Sequence, residues 1–106
     1  MVSITIDEEK IQEMAQALAQ EQKPWDDWVW LFAKAELQIR SAIVLSNRYQ
    51  EGGEARQVEI DPDLLVDQPS EAEIDALAGE ISQQSPSLQD LYWFIAERRY
   101  IYDQAR

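Results

Sequence analysis

The chain has no cysteine and no histidine. The missing Cys excludes a disulfide framework, a thiolate nucleophile and Cys-ligated metal. The missing His excludes Ser-His-Asp chemistry, His-ligated zinc and a histidine pH switch. Glycine is confined to Gly52, Gly53 and Gly79, so no glycine-rich loop is available to cradle a phosphate. Positive charge is scarce: 9 Lys and Arg stand against 21 Asp and Glu, for a net charge of −12. No stretch approaches the roughly 18 uninterrupted apolar residues of a membrane span. Met1 to Lys10 is acidic and lacks the basic and apolar regions of a secretion signal. A small cytoplasmic protein is expected, with no membrane association, metal or cofactor.

What is present is enough for one domain. Of 106 residues, 45% are apolar and 28% charged, a balance that buries a core. Met1 to Ile6 alternates, with Val2, Ile4 and Ile6 on one side and Ser3 and Thr5 on the other, which predicts a short half-buried strand. Asp7 is placed to cap a helix A that carries Ile11, Met14, Ala15 and Leu18 on one stripe. Pro24 ends that run and opens helix B, expected from Trp25 to Asn47. Helix B is apolar in several directions: Trp25, Trp28, Val29, Phe32, Ile39 and Ile43 on one face, Trp30, Ala33, Leu37 and Val44 on another, and Leu31 on a third. Glu51-Gly52-Gly53-Glu54 reads as a flexible connection. Arg56 to Ile60 alternates as a second strand, and Pro62 to Pro69 as an irregular insertion. Ser70 with Glu73 forms a capping box before helix C, which carries Ile74, Leu77, Ala78 and Ile81. Ser85-Pro86 is expected to be the N-cap and first residue of helix D, with Leu88, Leu91, Tyr92 and Ile95 along it.

The chain repeats this plan. A shift of 63 residues brings Glu8 onto Glu71, Ile11 onto Ile74, Ala15 onto Ala78, Asp27 onto Asp90, Trp30 onto Trp93 and Ala33 onto Ala96. The strands match as Ile4-Thr5-Ile6-Asp7 against Val58-Glu59-Ile60-Asp61. The expected fold is mainly α: strand-helix-helix twice in a single domain, halves 1–50 and 54–106 joined at Gly52-Gly53. Its four helices would carry at most a small two-stranded antiparallel ribbon, since a lone strand leaves backbone groups unpaired. Ile4-Thr5-Ile6, Leu18-Ala19 and Pro24-Trp25 within this order resemble the ribbon-helix-helix family, here as both halves in one chain. That resemblance implies a DNA-reading ribbon whose outward residues are Ser3, Thr5, Gln57 and Glu59. A shorter stretch, Phe94 to Arg99 with Asp103, is similar to the fluorescence recovery protein family, helical dimers that act on a carotenoid protein.

Charge argues against DNA. Residues 1–50 carry 5 basic and 8 acidic side chains; residues 51–106 carry 4 and 13. Each phosphate contact needs a Lys or Arg, so the balance points instead to a protein partner with a basic surface. An acidic DNA mimic is a further version of that reading. Consecutive aromatics on a helix are about 100° apart and cannot share one core. Trp25, Trp30, Leu31, Trp93 and Tyr100 are therefore the expected partner-binding residues, in a regulatory or interaction protein that forms a homodimer or a tight heteromer. Catalysis has little to stand on. Asp61-Pro62-Asp63 opens like a calcium loop, but Val66 and Ala72 occupy the positions that need Gly and Glu. Glu71 and Asp75 stand where a helix dipole favours acid. No catalytic residue is expected.

Overall fold

The computed structural model describes the backbone of residues 2–47 and 57–106. The Gly52-Gly53 connection lies outside the described residues. The elements are β1 (Val2–Thr5), α1 (Glu8–Ala19), α2 (Trp25–Arg40), β2 (Ile43–Asn47), β3 (Gln57–Ile60), a single 3₁₀ turn (Pro62–Leu64), α3 (Glu71–Gln83) and α4 (Leu88–Ala105). The fold is mainly helical, and strand-helix-helix occurs twice, as the sequence predicts.

Local chemistry sets the helix starts. Asp7 accepts the Lys10 N–H at 3.2 Å, and Glu8 and Glu9 lie in the first turn of α1. Ser70 accepts the Glu73 N–H at 3.2 Å, the expected cap, while Glu73 Oε1 accepts from the Ser70 hydroxyl at 2.9 Å in place of the Ser70 backbone N–H of a full capping box. The start of α4 corrects the sequence reading. Ser87, not Ser85, is the N-cap and accepts the Asp90 N–H at 3.1 Å. Ser85 has φ of 48°, a left-handed residue that turns the chain out of α3. Pro86 lies before the cap rather than inside the helix.

Two further differences share one cause. Helix B was expected to reach Asn47, but α2 stops at Arg40, and Ile43–Asn47 forms β2. Ile39 and Ile43 happen to keep helical spacing across the break, which is why periodicity runs on through it. Ala42-Ile43-Val44-Leu45 is also a short apolar run rich in β-branched side chains, which suits a strand. Pairing decides between them. Ile43 lies opposite Ile60, and the Asp61 N–H donates to Ala42 O at 2.8 Å. The expected two-stranded ribbon therefore becomes a three-stranded antiparallel sheet, ordered β1-β3-β2. Its β1–β3 pairing is the expected one, with Ile4 opposite Val58 and Thr5 opposite Gln57.

The core lies between the sheet and four helices. Ile4, Ile6, Val58 and Ile60 face it from the strands. Trp28, Ile11, Ile39, Leu91 and Ile95 are its largest fully buried side chains, together with Ile60. Trp28 meets Tyr92 edge to face at 5.1 Å between ring centres, and its indole N–H donates to Lys23 O at 3.1 Å. Packing interlocks the halves. α1 lies on α4, α3 lies on α2, and α2 crosses α4. No described helix is long and apolar enough to cross a membrane.

Candidate functional site

The central position of α2 and α4 explains their aromatic content. Between Trp28 and Ile39, and between Leu91 and Tyr102, every side chain is buried or half-buried. The exposed large apolar side chains among the described residues are Val2, Val44, Leu64, Val66 and Leu88. α3 and α4 both pack against α2, so Trp25, Trp30, Leu31 and Phe32 are half-buried instead of forming a fully exposed aromatic face.

The predicted partner-binding residues fall in separate places. Trp25 donates its indole N–H to Pro86 O at 2.8 Å, tying the start of α2 to the turn before α4. Tyr100 donates its hydroxyl to Thr5 O at 3.2 Å, tying α4 to β1. Both are internal links. Trp30 and Leu31 stay together and line a cavity of about 210 Å³ with Lys23 and Asp27. Trp93 lies elsewhere, in a groove of about 370 Å³ between α1 and α4.

That groove has an aromatic wall. Tyr92 and Trp93 form one side, with Gln89 beside them; Gln12, Ala15, Gln16 and Ala19 form the other. The α1 residues follow helical spacing, so the groove runs along the helix instead of ending in a closed pit. Ala15 and Ala19 leave room at its floor. The three glutamines supply amide donors and acceptors without fixed charge. The same α1 stripe continues to Glu8 and Glu9 in the first turn, and Asp90 adjoins Gln89, so the surroundings are acidic.

The predicted DNA-reading residues come together as expected of a ribbon. Ser3 is opposite Glu59 and Thr5 opposite Gln57, and all four are exposed on the outer face of the sheet. The face holds one carboxylate and no basic side chain among them.

Sequence reading missed two polar centres. Arg98 is only 8% exposed. Its Nε donates to Glu36 Oε1 at 3.2 Å, and its Nη1 donates to Glu97. The guanidinium lies 5.2 Å from the Phe32 ring centre and 5.3 Å from that of Phe94; these two rings stack. Arg40 reaches Glu36 from the other side at 3.6 Å. Two cations and two carboxylates thus balance at the α2–α4 crossing, where an unpaired charge is costly. The available signal was position: Leu91, Ile95, Arg98 and Tyr102 follow the core stripe, and a charge there demands a partner. The second centre is the Tyr102 hydroxyl, which donates to Asp67. That hydrogen bond, burial and the Asp67 charge raise the phenol above its ordinary pKa, with Arg106 opposing them. Tyr102 therefore holds its proton more firmly than a free tyrosine.

Among the described residues, no three acidic side chains gather closely enough to hold a metal ion. Neither family models, curated proteins nor solved structures give a match to this chain.

Proposed function

We propose that the protein is a non-catalytic interaction module that binds a partner with a basic surface, with the α1–α4 groove as its recognition site. The observation that carries this reading is the groove itself. Trp93 and Tyr92 offer large, half-buried anchor surfaces beside three neutral amides, inside an acidic surround. Aromatic anchors bordered by polar groups are the usual energetic centre of a protein interface. The net charge of −12 adds long-range attraction for a cationic partner and speeds its encounter.

The test uses the indole N–H signals of the four tryptophans in a ¹⁵N-labelled sample, with Trp93→Phe identifying the relevant one. Titration with a Lys- and Leu-rich helical peptide is expected to shift the Trp93 signal saturably, and added salt to weaken the effect. Shifts spread evenly over the surface, without saturation at Trp93, would sink the reading.

DNA recognition by the sheet is the second reading. The in-register, exposed Ser3, Thr5, Gln57 and Glu59 favour it, as does the interlocked helix packing that suits a ribbon-helix-helix plan. Charge opposes it. No measurable binding to random duplex is expected at physiological salt, because phosphate contacts need cations, Ser3, Thr5, Gln57 and Glu59 supply none, and the chain carries a net charge of −12. Micromolar binding with a steep salt slope would reverse the order of the two readings.

A further inference from the structure

A second surface on α2 has the opposite charge. The cavity beside Trp30 and Leu31 carries Lys23 at one edge. A second cavity of about 140 Å³ continues from Leu31 to Lys34, Gln38 and Arg99. Leu31 is common to both, so they form one strip. Trp30, Leu31, Lys34 and Gln38 follow helical spacing, and from Asp27 to Gln38 the strip runs about 16 Å at 1.5 Å per residue. Ala35, at 3% exposure, closes the strip from beneath. At the far end the Val66 N–H donates to Gln38 O at 3.0 Å, and Val66 itself is 37% exposed, which extends the apolar surface.

The cations on this strip are available for contact. Among the described residues Lys34 and Arg99 make no ion pair, and Lys34 lies 5.9 Å from the Trp30 ring centre. Among the described residues Lys23 is bridged to the exposed Glu21, at 3.3 Å. Lys23, Lys34 and Arg99 thus stand against Asp27 and Glu21, which leaves the strip net positive on a strongly negative chain, its unpaired cations at the Lys34–Arg99 end.

We propose that this strip receives an acidic amphipathic helix from a partner protein. An apolar side chain of that helix seats over Leu31 against Trp30, and its flanking carboxylates meet Lys23, Lys34 and Arg99. A helix suits the strip because its length is that of about three turns, with Trp30 and Leu31 as its apolar end and Lys34, Gln38 and Arg99 as its polar one. The site is separate from the α1–α4 groove and does not depend on it.

The probe is a synthetic helical peptide with Leu at i and i+4 and Glu on the flanking positions; its counterpart has Lys in place of each Glu. The Glu peptide is expected to shift the Trp30 indole signal saturably and leave that of Trp93 in place. The Lys peptide is expected to leave Trp30 unmoved. Lys34→Glu and Arg99→Glu should each weaken the Glu peptide by about tenfold or more, since like charges across an interface repel. Lys34→Gln, which keeps a helix-favouring side chain, should weaken it by a smaller factor with an unchanged helical signal. Equal binding of both peptides, or a response centred on Trp93, would overturn the proposal. So would a wild-type chain that sediments as a dimer which Lys34→Glu dissociates, since the occupant would then be a second copy.

Discussion

The two halves of the molecule share a backbone plan and differ in how they fill it. α1 and α3 start at Glu8 and Glu71, capped by Asp7 and Ser70, and α2 and α4 start at Trp25 and Leu88, all at one offset of 63 residues. The left-handed residues obey the same offset: Gln22 has φ of 50° and Ser85 has φ of 48°. Side chains do not follow. Where α2 places Leu31, Ala35 and Gln38, the equivalent positions of α4 hold Phe94, Arg98 and Ile101. The larger set is packed: Phe94 stacks on Phe32, and Arg98 and Ile101 are buried. The smaller set leaves an open strip. Charge diverges too, with Lys23 and Lys34 standing opposite Pro86 and Glu97. One backbone plan thus carries two faces of different depth and sign.

The sharpest way to break this comparison is to remove a central side chain from each half. Trp28→Ala is expected to cost about 3–5 kcal/mol and Leu91→Ala about 2–5 kcal/mol, since both are fully buried. Thermal and denaturant unfolding with coincident probes would show one cooperative unit in both cases. Separate transitions would mean that the halves are less interlocked than their packing implies.

Arg98→Ala tests the filled strip. Removing the cation leaves the Glu36 and Glu97 carboxylates together at a buried crossing, and about 3 kcal/mol of stability should be lost. Arg98→Met, which keeps the packing volume, paired with Glu36→Gln should recover part of that loss in urea unfolding. Failure of the double variant to recover any would mean the guanidinium acts on the Phe32 and Phe94 rings rather than on charge.

The two turns should respond alike. Gln22→Gly and Ser85→Gly each relieve a left-handed side chain and should stabilise by about 0.5–1 kcal/mol, additively. A gain at one turn only, read from the shift in melting temperature, would show that the shared φ is held by different forces.

The smallest effect concerns Tyr102, whose counterpart is the apolar Ile39. Its folded pKa is raised, so its contribution to stability is present below the ordinary tyrosine pKa of about 10 and is lost as pH rises through the higher folded value. Ultraviolet titration should find one tyrosine ionising late, and Asp67→Asn should bring it back toward the rest.

The sequence made some of this legible and hid the rest for physical reasons. The starts of α1, α2 and α3, the Ser70–Glu73 cap and the β1–β3 pairing follow from short-range chemistry and alternation, whereas the α4 cap lies two residues past the Ser85 that the sequence offers. The break after Arg40 did not show, because Ile39 and Ile43 satisfy helix spacing whichever way the chain continues. Trp30 and Leu31 were picked out by their position on α2, yet of the cations around them Lys34 alone is on that helix; Lys23 comes from the preceding turn and Arg99 from α4. The Arg98 to Glu36 link joins residues 62 apart, and no local pattern encodes it. Trp25 and Tyr100 looked like anchors for a partner because their polar atoms find backbone acceptors only once the chain has folded.

The strand order has a consequence for assembly of the fold. β3 occupies the middle of the sheet, so β1, which precedes it in the chain, has no partner until residues past Gln57 exist. Closing so long a loop is entropically slow. During that interval the alternating Val2–Thr5 segment is an unpaired edge, open to strands of neighbouring nascent chains. Crowded translation is therefore a condition that exposes this strand to mispairing.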